Sequence, residues 1–150
     1  LGVVYAPYLN ELYEACKGKG AMLNGRSIHV SGKNDTQESV VSTGFPIDKD
    51  RNPDNNLDNL ARILPMVRGV RRQGSAAFDL CCVAAGILDG YWEFNLHLWD
   101  VCAGILIVTE AGGTVRSFRE DRNVSIVAGT PAIVEQLYPR LSDKPGKICL

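Results

Sequence analysis

Two acidic side chains lie close together in a segment that is otherwise rich in apolar residues. Glu93 ends a predicted strand, and Asp100 begins an almost wholly apolar helix. Apolar helices are normally buried, and an unpaired buried charge is very costly, so Asp100 needs a partner. That partner is either the first-turn N–H groups of its own helix or a cation. Ligands gather at the carboxyl ends of strands in open α/β sheets, so both acids can face one crevice; the alternative for Glu93 is a solvated strand position.

A second candidate is the segment Gly74-Ser75-Ala76, which opens another helix without a bulky side chain. The free N–H groups and positive dipole end of such a start can hold an anion or a substrate hydroxyl. The simpler interpretation makes Ser75 an ordinary N-cap and Gly74 a turn residue. Arg71 and Arg72 directly precede this segment and suit either a phosphate or a structural salt bridge.

Other polar residues are weaker candidates. His97 lies between two leucines, where packing or hydrogen bonding is commoner than catalysis. The segment Gly18-Lys19-Gly20 lacks the following Ser or Thr and the strand–loop–helix context of a phosphate-binding loop. The acids in or beside a polar loop do not have calcium-loop spacing and are expected to be solvated: Asp48, Asp50, Asp54 and Asp58.

The bulk composition is that of an ordinary globular domain. The 150 residues are 45% hydrophobic and 22% charged, with a net charge of −1, which permits a core and argues against binding to nucleic acid or a membrane surface. The longest apolar run, residues 105–108, is far too short to span a bilayer. Five cysteines without a CxxC pair disfavour zinc and indicate buried, reduced thiols in a cytoplasmic protein, with three of them in apolar helical patterns: Cys81, Cys82 and Cys102.

The elements that must position the candidate residues change character along the chain. Residues 1–31 predict antiparallel strands, with Asn24-Gly25 as a hairpin turn, and a polar linker follows to residue 37. Alternating strands and helices then predict a layered α/β domain over residues 39–138, and the polar tail 139–150 is expected to be loose. The predicted helices cover 56–67, 75–85, 100–111 and a final helix opened by Thr130 and Pro131.

Five segments in order resemble the inositol monophosphatase family. The main one is Trp99-Asp100-Val101-Cys102-Ala103-Gly104 followed by Glu110-Ala111-Gly112-Gly113, which is similar to the family's C-terminal signature. The others are residues 2–7 with 18–25, Thr43-Gly44-Phe45-Pro46, residues 72–77 and residues 127–129. The resemblance covers nearly the whole chain to about residue 138.

The resemblance implies Mg²⁺-dependent, lithium-sensitive hydrolysis of a sugar or cyclitol phosphate monoester by a homodimer, and Glu93 favours inositol monophosphate. By position, Asp100 resembles the metal-binding aspartate beside the substrate, and Glu93 the acid that holds substrate hydroxyls. Gly74, Ser75 and Ala76 resemble the segment lining the substrate pocket. Magnesium prefers a few carboxylates with water and substrate phosphate, and such ions can activate water and stabilise the leaving oxygen.

The sequence departs from the family by lacking its main metal motif, Asp-Pro-(Ile/Leu)-Asp-Gly-Thr; Pro46-Ile47-Asp48 is only superficially similar. The chain begins inside a strand pattern, without Met or a signal-peptide pattern. We therefore expect a C-terminal α/β domain preceded by two or three antiparallel strands of an N-terminal half, nearly inactive alone and part of a longer protein.

Two other functions remain open from the sequence. One is a non-catalytic dimerisation or binding module, whose unpaired strand edges would pair with another chain; some bacterial members of the family also contact the transcription machinery. The other is a relative acting on fructose 1,6-bisphosphate or another sugar or nucleotide phosphate. A generic nucleotide-binding domain is disfavoured, because no glycine-rich phosphate loop follows a strand.

Overall fold

Two β-sheets with helices between and beside them form the protein in a computed structural model, which describes residues 1–121 and 123–141. The first sheet is antiparallel, with its strands in sequence order: β1 (Gly2–Ala6), β2 (Glu11–Ala15), β3 (Ala21–Leu23) and β4 (Arg26–Ile28). The sequence thus predicted the character of this sheet, which has four strands rather than two or three. Asn24 and Gly25 both have positive φ in its last hairpin, as the predicted turn requires.

The second sheet is mixed and has the strand order β6-β5-β7-β9-β8. Strands β6, β5 and β7 are parallel, whereas β9 is antiparallel to both β7 and β8. The strands are β5 (Val40–Thr43), β6 (Gly69–Arg71), β7 (Gly90–Leu96), β8 (Thr114–Ser117) and β9 (Val124–Gly129). The parallel part directs the carboxyl ends of three strands to one edge, which confirms the predicted α/β class.

In the part of the chain that the structure describes, four helices complete the layers: α1 (Leu57–Ile63), α2 (Ala76–Ala84), α3 (Leu98–Glu110) and α4 (Pro131–Leu137). One core joins α2 and α3 to both sheets, and a second core packs α1 and α4 on the other face of the second sheet. The short 3₁₀ turns are Thr36–Glu38, Leu64–Met66 and Tyr138–Arg140. None of the helices in the described residues is both long and apolar enough to cross a membrane.

Local sequence signals account for the helix ends. Ser75 accepts the N–H of Phe78 and Thr130 that of Ile133, which confirms both predicted N-caps. The predicted helix 56–67 ends at Ile63 and continues as a 3₁₀ turn containing Pro65, because proline disrupts the regular helix. Of the predicted loose tail 139–150, residues 139 and 140 belong to the 3₁₀ turn Tyr138–Arg140, and residues 142–150 lie outside the described part.

Helix α3 differs from its sequence prediction. It begins at Leu98 rather than Asp100, and its first turn is not buried: Leu98 is 64% and Trp99 76% exposed. Cys102, which we expected to be buried, is exposed, whereas Cys81 and Cys82 are buried. Apolar composition alone does not tell which face of a helix meets the core.

The turn between β2 and β3 is fastened to the end of α3. The carboxylate of Glu110 accepts the N–H of Gly18 at 2.8 Å and that of Gly20 at 2.9 Å. Both glycines have positive φ, the backbone region in which adjacent N–H groups can converge on one anion. The Gly18-Lys19-Gly20 segment therefore binds the protein's own carboxylate.

A buried arginine joins the loop before α1 to the turn between β8 and β9. The side chain of Arg119 is 1% exposed, and its Nη1 lies 2.8 Å from Oδ1 of Asp54. Its Nε and Nη2 donate to the two carboxylate oxygens of Asp121. The sequence predicted a solvated Asp54, and that prediction is wrong, because this long-range ion pair has no local sequence signal.

The segment between β4 and β5, which contains the polar linker, is held along its length. Val30, before the linker, donates its N–H to the carbonyl oxygen of Ala111, the residue after α3, at 3.1 Å. Lys33 Nζ lies 3.1 Å from Oδ2 of Asp89, the residue before β7, and the Lys33 carbonyl oxygen accepts from Thr130 Oγ1 at 2.9 Å. In α4, Gln136 Nε2 donates to the Asn34 carbonyl oxygen at 2.7 Å. The linker is thus an ordered part of the structure.

Candidate active site

A single cleft brings together the five residues that the sequence singled out. The cleft has a volume of about 460 Å³ and lies where β5, β6 and β7 deliver their carboxyl-side residues to the first turns of α2 and α3. This edge of a parallel sheet is where α/β proteins bind ligands. The predicted residues are Gly74, Ser75, Ala76, Glu93 and Asp100, and they share the cleft with Gly44, Phe45, Ile47, Arg72, Ala77, Leu96 and Trp99.

Asp100 is hydrogen-bonded to a backbone N–H at the start of its own helix, which is one of the two partners that the sequence allowed, the other being a cation. It is the third residue of α3, and its Oδ2 accepts the backbone N–H of His97, the residue preceding the helix, at 2.9 Å. This is half of a capping box, which satisfies one donor at the helix start. Asp100 is half-buried and lines the cleft.

Glu93 lies inside β7 rather than at its end, because the strand continues to Leu96 after an irregularity in its pairing with β9. The Tyr91 hydroxyl donates to Glu93 Oε2 at 2.6 Å. Burial raises the pKa of Glu93, and the nearby acids Asp79 and Asp100 raise it further, against the opposing effects of the Tyr91 hydrogen bond and Arg72.

Gly44 provides the surface against which the Glu93 carboxyl rests. It follows β5, and the parallel register that pairs Thr43 with Trp92 brings Gly44 beside Glu93. A Cβ atom on Gly44 would overlap the carboxyl carbon and both oxygens of Glu93. The Glu93 carboxyl can keep this position only while residue 44 is glycine, a role that the sequence did not indicate.

A buried acid lies beneath the start of α2. Asp79 is 1% exposed and accepts a hydrogen bond from Gln73 Nε2 at 3.1 Å. Burial raises the pKa of Asp79, while hydrogen bonds and the charge of Arg72 act in the opposite direction. The Gln73 amide is therefore a neutral hydrogen-bond partner of this buried acid.

The remaining candidates divide between the cleft and its surroundings. Ser75 acts as an N-cap, as described, yet still lines the cleft with Arg72. Arg71 instead donates to the Val70 carbonyl oxygen at 3.1 Å. His97 is exposed and stacks on Trp99, with ring centroids 4.3 Å apart and planes 16° apart. The cleft thus combines two carboxylates, one guanidinium and a helix N-terminus.

These donors do not make a complete magnesium site. Within residues 1–121 and 123–141, no group of three or more His, Cys, Asp or Glu side chains could hold a metal ion. Magnesium takes near-octahedral oxygen coordination and is held in proteins by one or two carboxylates together with water and substrate phosphate. Asp100 would supply one such carboxylate in this cleft.

Comparison with known proteins gives consistent matches. Residues 1–144 match the sequence profile described as the inositol monophosphatase family. The chain is 43% identical over 144 residues to a protein named putative Nus factor SuhB from Neisseria meningitidis, covering 93% of this chain and 55% of that protein. It is 47% identical over 118 residues to an inositol-1-monophosphatase from Synechocystis, covering 79% and 41%.

The solved structures agree with the sequence matches. The structure of the inositol monophosphatase from Anabaena (Nostoc) superposes with a TM-score of 0.85 at 38% identity, covering 92% of this chain and 56% of that one. The chain therefore spans about half the length of the relatives it matches.

Proposed function

This chain belongs to the inositol monophosphatase family, and from that premise we propose that it supplies the substrate-binding part of the active site of a magnesium-dependent phosphatase acting on inositol monophosphate. The observation that carries the proposal is the convergence of Glu93, Asp100 and the start of α2 on one cleft. The name inositol-1-monophosphatase, which the Synechocystis relative bears, supports the choice of substrate.

Each group has a role that its chemistry suits. Arg72 and the N–H groups at the start of α2 attract the negative charge of a phosphate monoester. Glu93, with Oε2 engaged by Tyr91, offers Oε1 to a hydroxyl of the polyol. Asp100 offers Oδ1 to a metal ion whose other ligands are not among the described residues. For that reason we propose that this chain is nearly inactive by itself.

A chimera tests the proposal most directly. The part of the Anabaena enzyme that this chain does not cover is fused to residues 1–150, with the junction chosen from the superposed structures. With millimolar Mg²⁺ the chimera should release phosphate from inositol 1-phosphate, whereas the chain alone should release little. Fructose 1,6-bisphosphate as substrate separates the two substrate classes.

Matched carboxylate variants sharpen this test. Asp100→Asn should remove most of the activity of the chimera, while Asp50→Asn makes the same change at an exposed loop position outside the cleft and should not. Equal activity of the two variants would contradict the role of Asp100. Robust turnover by the unfused chain would contradict the requirement for further metal ligands.

A second candidate function is a binding or assembly module, and we propose it as the alternative. Strand β1 is at the edge of the first sheet, and its Val3 and Tyr5 side chains are 49% and 52% exposed. Such an edge is a template for pairing with another chain, and the Neisseria relative is named for a Nus factor. Sedimentation should then show a homodimer, and a monomer at high concentration would contradict it.

We also propose a cytoplasmic location. The support is chemical: all four cysteines in the described residues are free thiols, namely Cys16, Cys81, Cys82 and Cys102. Free thiols are typical of proteins in reducing compartments. The net charge of −1 favours a small phosphate ester or a protein over nucleic acid as partner.

A further inference from the structure

Asn56 has a side chain whose hydrogen-bonding capacity is fully used. It immediately precedes α1, has a φ of 71°, and is 1% exposed. Its Nδ2 donates to Thr43 Oγ1 at 2.9 Å and to the Gly44 carbonyl oxygen at 2.7 Å. Its Oδ1 accepts from Trp92 Nε1 and from Asn59 Nδ2, both at 3.0 Å. Because the indole N–H can only donate, the amide has a single orientation that satisfies all four partners.

These partners flank Glu93 on both sides. Gly44 is the residue against which the Glu93 carboxyl rests, and Trp92 precedes Glu93 in β7. Thr43 Oγ1 also donates to the Trp92 carbonyl oxygen at 2.6 Å. Side chains alternate between the faces of a strand, so Trp92 and Asn56 lie behind the sheet while Glu93 faces the cleft. Asn56 thus fixes the distance between the end of β5 and the middle of β7.

We propose that Asn56 is a positioning residue for Glu93, holding the Gly44 backbone against the carboxyl so that Glu93 presents one free oxygen to the substrate hydroxyls. Asparagine suits this position because it tolerates left-handed backbone and carries two donors beside an acceptor. The presentation of Glu93 to the substrate hydroxyls rests on the proposed function, whereas the effect of Asn56 on the Glu93 carboxyl can be measured without activity or metal.

The test is the titration of the Glu93 carboxyl, followed by ¹³C NMR in this chain and assigned by the loss of its signal in Glu93→Gln. Asn56→Gly keeps the left-handed backbone without strain and removes all four hydrogen bonds. Released from Asn56, the Gly44 segment can withdraw and admit water to the carboxyl. The charged groups near Glu93 are unchanged: Asp79, Asp100 and Arg72. The titration midpoint should fall by about half a pH unit or more towards that of ordinary glutamate.

Asn24→Gly is the matched control. Asn24 also has positive φ, and its side chain bridges two backbone groups, accepting from Leu12 N and donating to the Asn10 carbonyl oxygen. It lies in the first sheet and does not line the cleft. This variant makes the same chemical change with fewer lost hydrogen bonds, and it should leave the Glu93 midpoint unchanged.

An unchanged midpoint in folded Asn56→Gly would overturn the proposal and leave Asn56 a purely structural residue. A midpoint that moves equally in Asn24→Gly would also overturn it. If Asn56→Gly does not fold, Thr43→Val decides, since it keeps the branched shape and removes the hydrogen bonds that join the Thr43 hydroxyl to Asn56 Nδ2 and to the Trp92 carbonyl oxygen. In Thr43→Val as well, a lower titration midpoint of Glu93 supports the proposal and an unchanged midpoint refutes it. Failure of the chimera to hydrolyse inositol 1-phosphate would contradict the proposed function and leave this titration result intact.

Discussion

Gly104→Ala should destabilise the protein even though alanine is the better helix former. Gly104 lies in α3 opposite the fully buried Leu80 of α2. A Cβ on Gly104 would lie 2.7 Å from Leu80 Cδ1 and 2.8 Å from Leu80 Cβ. Rotation can move Cδ1 away, but Cβ is attached to the backbone, so the two helices must separate.

The expected size follows from two opposing contributions. Overpacking a core costs about 1–3 kcal/mol, and replacing glycine by alanine inside a helix returns about 1 kcal/mol. The free energy of unfolding should therefore fall by up to about 2 kcal/mol, measured by urea denaturation with circular dichroism. In a Leu80→Gly background both the Cδ1 and the Cβ contacts are absent, so the cost of Gly104→Ala should shrink by about 1 kcal/mol.

Two results would refute this reasoning. One is a Gly104→Ala protein at least as stable as the parent, which would mean that the helices accommodate a methyl group without separating. The other is an equal cost in both backgrounds, which would mean that the Leu80 side chain is not what the new methyl group meets. Unchanged denaturant dependence (m) in all four proteins would show that the comparison concerns stability rather than compactness.

Three further predictions concern other parts of the molecule. Backbone N–H donors lower the pKa of Glu110 in the folded protein. Its stabilising effect is therefore present above the pKa of the unfolded state and is lost as the pH falls through the pKa of the folded state. Glu110→Gln should lower the urea midpoint at neutral pH, and the two proteins should have the same midpoint in acid. Arg119→Met should lower the free energy of unfolding by about 3–5 kcal/mol, because it removes the buried cation that lies between Asp54 and Asp121. Iodoacetamide should alkylate Cys102 in the native protein but Cys81 only after unfolding, since Cys81 is buried and burial raises its pKa to about 12.

Each of these has its own contrary outcome. A pH-independent gap between parent and Glu110→Gln would mean that the carboxylate charge is not what the glycine turn recognises. An Arg119→Met protein as stable as the parent would mean that the methionine packs as well as the ion pair binds. Peptide mapping that finds Cys81 alkylated under native conditions would show that α2 opens locally.

Sequence reasoning succeeded where the determining signal is local. The N-caps Ser75 and Thr130, and the turn at Asn24 and Gly25, were predicted because each depends on a few adjacent residues. The five cleft residues could be selected because a family resemblance supplied positions that spacing alone left open between function and structure. Their roles are proposals, but their convergence on one cleft is an observed feature.

The residues that sequence reasoning missed depend on contacts between distant parts of the chain. Asn56 stands in a polar loop whose composition predicts solvation, and only folding brings it to Thr43 and Trp92. Gly44 gains its importance from the register between β5 and β7, which no local pattern encodes. The start of α3 at Leu98 and the exposure of its first turn could not be predicted either. The residues on both sides of Asp100 are mostly apolar, so their pattern shows neither where the helix begins nor which face meets the core.

The segment between β4 and β5 has a consequence for how the protein unfolds. Its residues bind to the end of α3, to Asp89 before β7 and to α4, and the core that contains α2 and α3 is shared by both sheets. A protease therefore finds the segment between the sheets held by hydrogen bonds, and cleavage there requires much of the protein to unfold first. Melting should accordingly be a single cooperative event that releases both sheets at once.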